Sequence, residues 1–333
     1  MSMSKHRIVL VGHGTISKAY LKAFASVPEA DIVAVVGRNP EKVAAFAAEH
    51  GIPAHGVDLA ETAARAGANA AVICTPNAAH YDGVLAAARA GLHCLCEKPL
   101  HIAPEKQREM IAACKERGVV LAVSYMRRFI EHLRYLKELV DSGTLGRIMT
   151  VDVTIKHFRS KQYYESWHGT LEMDGGGPFI QQGSHIIDLA LWLNGGYREV
   201  LSANMFQVFH DIETEDHGYA VVRYGNGAIG MIEASTASVG MQKEMIEISG
   251  TEGSVSANYD GIVSFHVPGV EPPAFDPDRS ANDELFRQLA ADFAQAIDEG
   301  RAPFVDGESA AVATEFINDI YRKAGQPART FGG

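Results

Sequence analysis

Cysteine and tryptophan are scarce in this chain, and long apolar runs are missing. Only four cysteines and two tryptophans occur among 333 residues. Cys94 and Cys96 are separated by a single residue, and Cys74 and Cys114 stand alone. That spacing is neither a redox Cys-x-x-Cys nor a zinc knuckle, so the thiols read as small buried hydrophobes, kept reduced. No apolar run approaches the roughly 18 to 20 residues that a membrane helix needs. The apolar stretch at residues 8–11 is too short for a signal-peptide core. Basic residues are outnumbered, 30 against 41 acidic, for a net charge of −11. Such a balance argues against binding a phosphate backbone. There is no internal repeat and no low-complexity tail. The 14 histidines form no HExxH, no close pair and no Cys/His knuckle, so no metal site is expected. What remains is a soluble, cytoplasmic protein without a nucleic-acid or membrane partner, long enough for two domains.

The first part of the chain alternates β-branched runs with Ala-rich helical stretches. Strands are expected at residues 7–11, 31–36, 70–73, 93–96 and 119–123, with helices at 15–25, 40–50, 77–90 and 104–117. Asn39 and Pro40 mark a helix start, and Gly51, Gly91 and Gly118 mark stops. Strands this apolar, each followed by a helix, imply a parallel sheet covered on both faces. Residues 1–125 therefore read as a doubly wound α/β domain.

Beyond Gly146 the pattern changes to a long alternating strand at 147–156, a Gly-rich turn, a helix, and then mostly strands. Residues 224–227 and 250–253 are hairpin turns, and 268–281, with four prolines, a loop. Two amphipathic helices, 283–299 and 308–322, close the chain. Residues 126–333 read as an α+β domain on an antiparallel or mixed sheet, with the closing helices packing back on the first domain.

Between the first strand and first helix lie Gly12, His13, Gly14, Thr15, Ile16 and Ser17. The first glycine permits a tight turn, and the second lets the backbone approach a pyrophosphate. Ser17 stands where a small residue allows close packing, and the helix start offers amides to phosphates. An NAD site commonly has an acid after the second strand. This chain has Gly37 and then Arg38, which suits a 2′-phosphate, so NADP or dual use is favoured over NAD alone.

Two further stretches carry chemistry. Thr75, Pro76, Asn77 and His80 follow one strand; Glu97, Lys98 and Pro99 follow the next. At the carboxyl edge of a parallel sheet Lys98 would meet a ligand, where it can take or return a hydroxyl proton. Glu97 and Pro99 suggest a fixed backbone there, with a cis peptide. Farther on come Trp167, His168, Gly169 and Thr170, then Asp174 and three glycines, then Gln181, His185 and Asp188. A helix beginning near Pro178 would put Gln181, His185 and Asp188 on one face with Ser184 and Trp192. Its other faces are apolar, so the polar stripe must line a cleft or be bonded internally.

Together these motifs resemble the glucose-fructose oxidoreductase / inositol dehydrogenase / rhizopine-catabolism (Gfo/Idh/MocA) family over nearly the whole chain. The resemblance implies a Rossmann domain followed by a domain with a large open, mainly antiparallel sheet. It also implies homodimers or homotetramers assembled through that sheet. By this likeness Lys98 and His185 are catalytic. Thr75, Pro76, Asn77, His80 and Glu97 line the cofactor along with the glycine turn. The expected activity is NAD(P)-dependent hydride transfer to or from a secondary alcohol of a sugar, cyclitol or sugar derivative. Gln181 departs from the Asp of inositol dehydrogenases, and a neutral amide orients a hydroxyl without acting as a base. Arg127, Tyr163, Tyr164 and Trp167 are candidates for the substrate wall. A redox-assisted glycosidase or lyase, and a cofactor-sensing regulator, are the rival readings.

Overall fold

The computed structural model describes residues 6–165 and 168–329. The chain forms two units, one taking in the chain up to Met126 together with Ala281–Ala311, the other Arg127–Ser280 with the chain from Val312.

In the first unit six strands form a fully parallel sheet. They are β1 (His6–Val11), β2 (Ala30–Val36), β3 (Ala54–Gly56), β4 (Ala70–Ile73), β5 (His93–Cys96) and β6 (Leu121–Val123), in the order β3-β2-β1-β4-β5-β6. Helices α1 (Thr15–Phe24), α2 (Pro40–His50), α3 (Leu59–Ala66), α4 (His80–Arg89) and α5 (Pro104–Glu116) connect them. Ile8, Val9 and Leu10 are all fully buried, as are Ala70 through Ile73. Burial on both faces is why these strands show no alternation. Asn39 caps α2 by accepting the Lys42 N–H at 2.9 Å, with Pro40 in the first helical position. The helix Asn282–Glu299 belongs to this unit and packs on α1, where the Tyr20 and Phe286 rings meet edge to face at 5.2 Å. All four cysteines are buried and unlinked.

Two elements here go beyond the expected set. β3 is only three residues long, too short for a hydrophobic period. α3 carries a legible mark, because Asp58 accepts the Glu61 N–H at 2.8 Å as its cap. The expected helix 77–90 opens instead as a 3-10 turn, Asn77–Ala79, before α4 begins at His80.

The second unit is built on an eight-stranded sheet. Its strands are β7 (Ile148–His157), β8 (Tyr197–Gln207), β9 (His217–Tyr224), β10 (Ile229–Ser235), β11 (Gln242–Gly250), β12 (Ser254–Ala257), β13 (Ile262–His266) and β14 (Ala328–Arg329). They lie in the order β13-β12-β11-β7-β10-β9-β8-β14, antiparallel except for the β7/β10 and β8/β14 pairs. Helices α6 (Glu131–Asp141), α7 (Leu171–Asp174) and α8 (Ser184–Leu193) accompany it. Val151, Val153, Ile155, Ile232, Ile246 and Ile248 are buried at alternate positions, and α8, apolar almost all round, packs against β7 and β11. α6 was not expected, although Leu133, Leu136 and Leu139 are buried along it at three-residue steps.

One expectation is corrected. The helix carrying His185 starts at Ser184, not near Pro178. The Gln181 N–H bonds the Gly177 carbonyl, but the Gly183 N–H reaches back to Pro178, one residue further than a helical bond would. This wider turn interrupts the helical phase, so Gln181 sits in a loop and shares no helical face with His185 and Asp188.

Candidate active site

In the first unit the segments singled out in the sequence leave the sheet at the strands' carboxyl ends. They flank the β1/β4 boundary where the strand order reverses, the place at which such sheets bind ligands. Gly12 has φ of 107°, and a Cβ there would lie 2.8 Å from the Cys74 carbonyl oxygen. Glycine alone lets these two strand exits touch. The Ser17 hydroxyl donates to the Gly12 carbonyl at 3.2 Å and braces the turn. Helix α1 opens at Gly14 without a side-chain cap; Gly14 and Thr15 are exposed and Ile16 half-buried. Its first amides are thus left for an anion. The His13 ring lies 6.2 Å from Phe46 of α2. Gly37 and Arg38 follow β2, and Arg38 is exposed, with no ion pair among the described residues.

The exits of β4 and β5 are tied by a histidine. His80 Nε2 lies 2.8 Å from the Thr75 carbonyl and Nδ1 2.9 Å from that of Pro99. Burial pushes this imidazole below its usual range, so the neutral ring donates to one carbonyl and abuts the other. Pro76 is exposed, Asn77 half-buried, and the Ala79 N–H bonds the Pro76 carbonyl. The Thr75 hydroxyl oxygen is buried with no hydrogen-bond partner among the described residues.

Glu97 is buried beside them. Its Oε1 accepts the Tyr20 hydroxyl at 2.7 Å, and its Oε2 accepts the backbone N–H of Lys98 at 3.1 Å. Burial raises this carboxyl above its ordinary range, although the Tyr20 bond and the Lys98 charge pull the other way. Lys98 is half-buried, and its peptide bond to Pro99 is cis. A glycine turn open to backbone approach, an uncapped helix start and an orphaned threonine hydroxyl fit a dinucleotide.

In the second unit the candidates separate into two groups. Arg127 lies with its guanidinium 4.4 Å over the Tyr259 ring, and its Nε is buried with no hydrogen-bond partner among the described residues. Its neighbour Arg128 grips Asp188 through two bonds of 2.8 and 2.5 Å, both side chains at most 3% exposed. Asp188 is therefore a structural anchor of α8.

The other group surrounds Asp174, which is 1% exposed. Its Oδ2 accepts the Gly169 N–H at 2.6 Å, and His168 Nδ1 stands 3.6 Å from Oδ1. The Gln181 amide nitrogen donates to Asp174 twice, to Oδ1 and to the backbone carbonyl. Burial pushes the Asp174 carboxyl above its usual range against these contacts. The Tyr163 ring stacks on His168 at 4.1 Å. Tyr164 turns elsewhere, its hydroxyl donating to Thr236 at 2.8 Å. Trp167 lies outside the described residues. His185 is the second residue of α8 and half-buried.

Sequence reasoning quoted Asp174 and His168 without a role, and it missed Glu215 and Tyr321. A Cβ on Gly177 would fall 1.9 Å from the Glu215 carbonyl oxygen, and the Gly177 N–H donates to Glu215 Oε2 at 3.0 Å. Tyr321 donates to the other carboxylate oxygen at 2.8 Å. The glycine loop is thus clamped on a buried acid, which desolvation pushes up to about 7. The triple glycine was its only signal.

Residues 6–125 match the oxidoreductase family with an NAD-binding Rossmann fold (GFO/IDH/MocA), and residues 133–256 match that family's C-terminal domain. The chain belongs to the Gfo/Idh/MocA family of NAD(H)-binding oxidoreductases. It is 27% identical to inositol 2-dehydrogenase of Rhizobium meliloti, over 96% of this chain and 97% of that protein. To D-glucoside 3-dehydrogenase of Escherichia coli it is 28% identical, over 75% of each. The crystal structure of the WlbA dehydrogenase from Bordetella pertussis, in complex with NADH and UDP-GlcNAcA, is similar with a TM-score of 0.86. Identity to it is 29%, over 97% of this chain and 96% of that one.

Proposed function

We propose that this oxidoreductase transfers hydride between NAD(H) and a secondary alcohol or ketone of a sugar, cyclitol or sugar derivative. The observation that carries the reading is Lys98 at the carboxyl edge of the parallel sheet, on a backbone held by Glu97 and, through Pro99, by His80. The inositol and glucoside in two relatives' names, and the UDP-GlcNAcA bound in the WlbA structure, support the substrate class. Bound NAD(H) supplies the hydride acceptor or donor. Gly12, Gly14, Thr15 and Ile16 would hold its phosphates through backbone groups, and Thr75, Asn77 and Glu97 would supply further contacts to it. Arg38, exposed and with no ion pair among the described residues, admits NADP as a second cofactor.

In this reading Lys98 takes the hydroxyl proton during oxidation and returns it during reduction. His185 bonds a substrate hydroxyl, and Gln181 orients a neighbouring one. Arg127 and Tyr163 contact the rest of the sugar. Assembly into dimers or tetramers through the eight-stranded sheet belongs to the same reading. It is supported by Tyr219, Val221 and Met231 on one face, of which Met231 is 44% exposed.

The test is nicotinamide absorbance with NAD and NADP, in both directions, over methyl glucosides, inositols and UDP-linked sugar acids. Lys98→Ala should lower turnover by about 10²- to 10⁴-fold, the usual weight of a general acid–base, with NAD binding retained. Turnover that survives the substitution would remove Lys98 from the chemistry. Silence of the wild type across the panel, with cofactor bound, would overturn the substrate class.

A further inference from the structure

Gln181 is read above as a contact for a substrate hydroxyl, and an amide can present either a donor or an acceptor. Its surroundings decide which. The amide nitrogen bonds Asp174 Oδ1 and, at 3.2 Å, the Asp174 backbone carbonyl. A backbone carbonyl oxygen can only accept, so the nitrogen must face it, and Oδ1 lies within reach of the same nitrogen. Both N–H groups of the amide are then used, and among the described residues Oε1 receives no hydrogen bond. Asp174 is itself over-determined: Gly169 N–H holds Oδ2 at 2.6 Å and His168 stands 3.6 Å from Oδ1. His168 in turn is stacked on Tyr163.

We propose that Asp174 is a positioning residue that locks the Gln181 amide with Oε1 outward, so that the site accepts a hydrogen bond from a substrate hydroxyl there. The site thereby discriminates for a hydroxyl and against a bare carbonyl or ether oxygen at that substrate position. This deepens the functional reading above and rests on it for the hydroxyl.

The test has two arms, both on the full chain. The first is NMR of the protein labelled with ¹⁵N-glutamine, the Gln181 side-chain signal being identified by its loss in Gln181→Ala. The expected result is a pair of amide protons shifted from their free-glutamine positions and slow to exchange with solvent, which become fast in Asp174→Ala. Signals like those of free glutamine in the wild type would overturn the lock whatever the substrate is.

The second arm is kinetics with whichever of methyl glucoside, myo-inositol or UDP-GlcNAcA is turned over. Asp174→Asn keeps the shape but leaves one oxygen acceptor for two donors. Gly169 N–H then claims it, and the new side-chain NH₂ confronts the Gln181 amide nitrogen, which keeps only its 3.2 Å bond to the backbone carbonyl and is no longer locked. KM should rise about tenfold while kcat changes less than about threefold, the pattern of a lost binding contact. In a Gln181→Ala background Asp174→Asn should add nothing. A further rise of similar size there would show that Asp174 does not act through Gln181, and would overturn the proposal. Turnover of none of the three substrates counts against the functional reading, and the NMR arm alone then decides the lock.

Discussion

Glu97 and Asp174 are both buried carboxylates pushed up by desolvation, yet they are held in different ways. Glu97 sits at the end of β5, where sheet register puts it beside the exit of β4, its N–H bonding the Ile73 carbonyl at 3.0 Å. Its side chain then secures the next backbone amide and reaches Tyr20, 77 positions away. Asp174 sits outside the sheet, and Gly169, His168 and Gln181, all within seven positions of it, hold it. At the sheet edge regular backbone bonds bring residues together, and side chains add to a frame already set. Around Asp174 the regular backbone bonds amount to the single turn of α7, so the side-chain bonds carry most of the local structure. A site on the sheet edge should therefore survive loss of one side-chain bond better than the second unit survives loss of a buried pair.

The largest expected effect lies in the second unit. Arg128→Ala leaves Asp188 as a buried carboxylate with no counter-charge, which should cost about 3–5 kcal/mol of stability in denaturant unfolding. Replacing both, Arg128→Met with Asp188→Leu, should recover most of that loss, because the cost lies in the orphaned charge. If the single variant loses less than about 1 kcal/mol, the contrast between the two regions fails.

Next comes Glu215, whose carboxyl is raised to about 7 in the folded chain. Unfolded, a glutamate titrates near about 4.3. Between these values the folded state binds more protons, so stability falls as pH rises through that window and levels off above it. The loss is roughly 4 kcal/mol at about 1.4 kcal/mol per pKa unit. Glu215→Gln can keep both contacts, its oxygen to the Gly177 N–H and its amide to the Tyr321 oxygen. It should abolish this slope and raise the melting temperature most at the alkaline end. An unchanged pH profile would show that the clamp does not titrate.

The smallest effect is assigned to the sheet edge. Tyr20→Phe removes one bond to Glu97 but leaves the Lys98 N–H bond and the strand pairing. A loss of about 1–2 kcal/mol is expected in thermal unfolding, with the cofactor still bound. A loss as large as that of Arg128→Ala would erase the distinction.

Most of the parallel domain is legible from its residues. Runs such as Ile8, Val9, Leu10 and Val11 are apolar without alternation, and Asn39, Pro40 and Gly51 punctuate the helices between them. The nucleotide turn is legible for the same reason: Gly12 and Gly14 mean something because a strand precedes them and a helix follows. The start of α8 was misjudged because Pro178 is a good first helical residue by itself. The turn at Gly183 depends instead on how the loop bonds Gly177, Pro178 and Asp174. Asp188 looked like part of a functional stripe because helical spacing is visible in a sequence, whereas Arg128, 60 positions away, is not.

By itself the sequence determined the order of strands and helices, the edge at which Lys98 emerges, and the kinship of the chain. Local propensity, hydrophobic period and short motifs act over a few neighbouring residues and can be read there. Only the tertiary structure decided which acid is an anchor and which is held against the Gln181 amide, and it alone revealed the clamp on the glycine loop. Those outcomes depend on desolvation and on partners up to 106 positions distant, and neither is written at any one place in the chain.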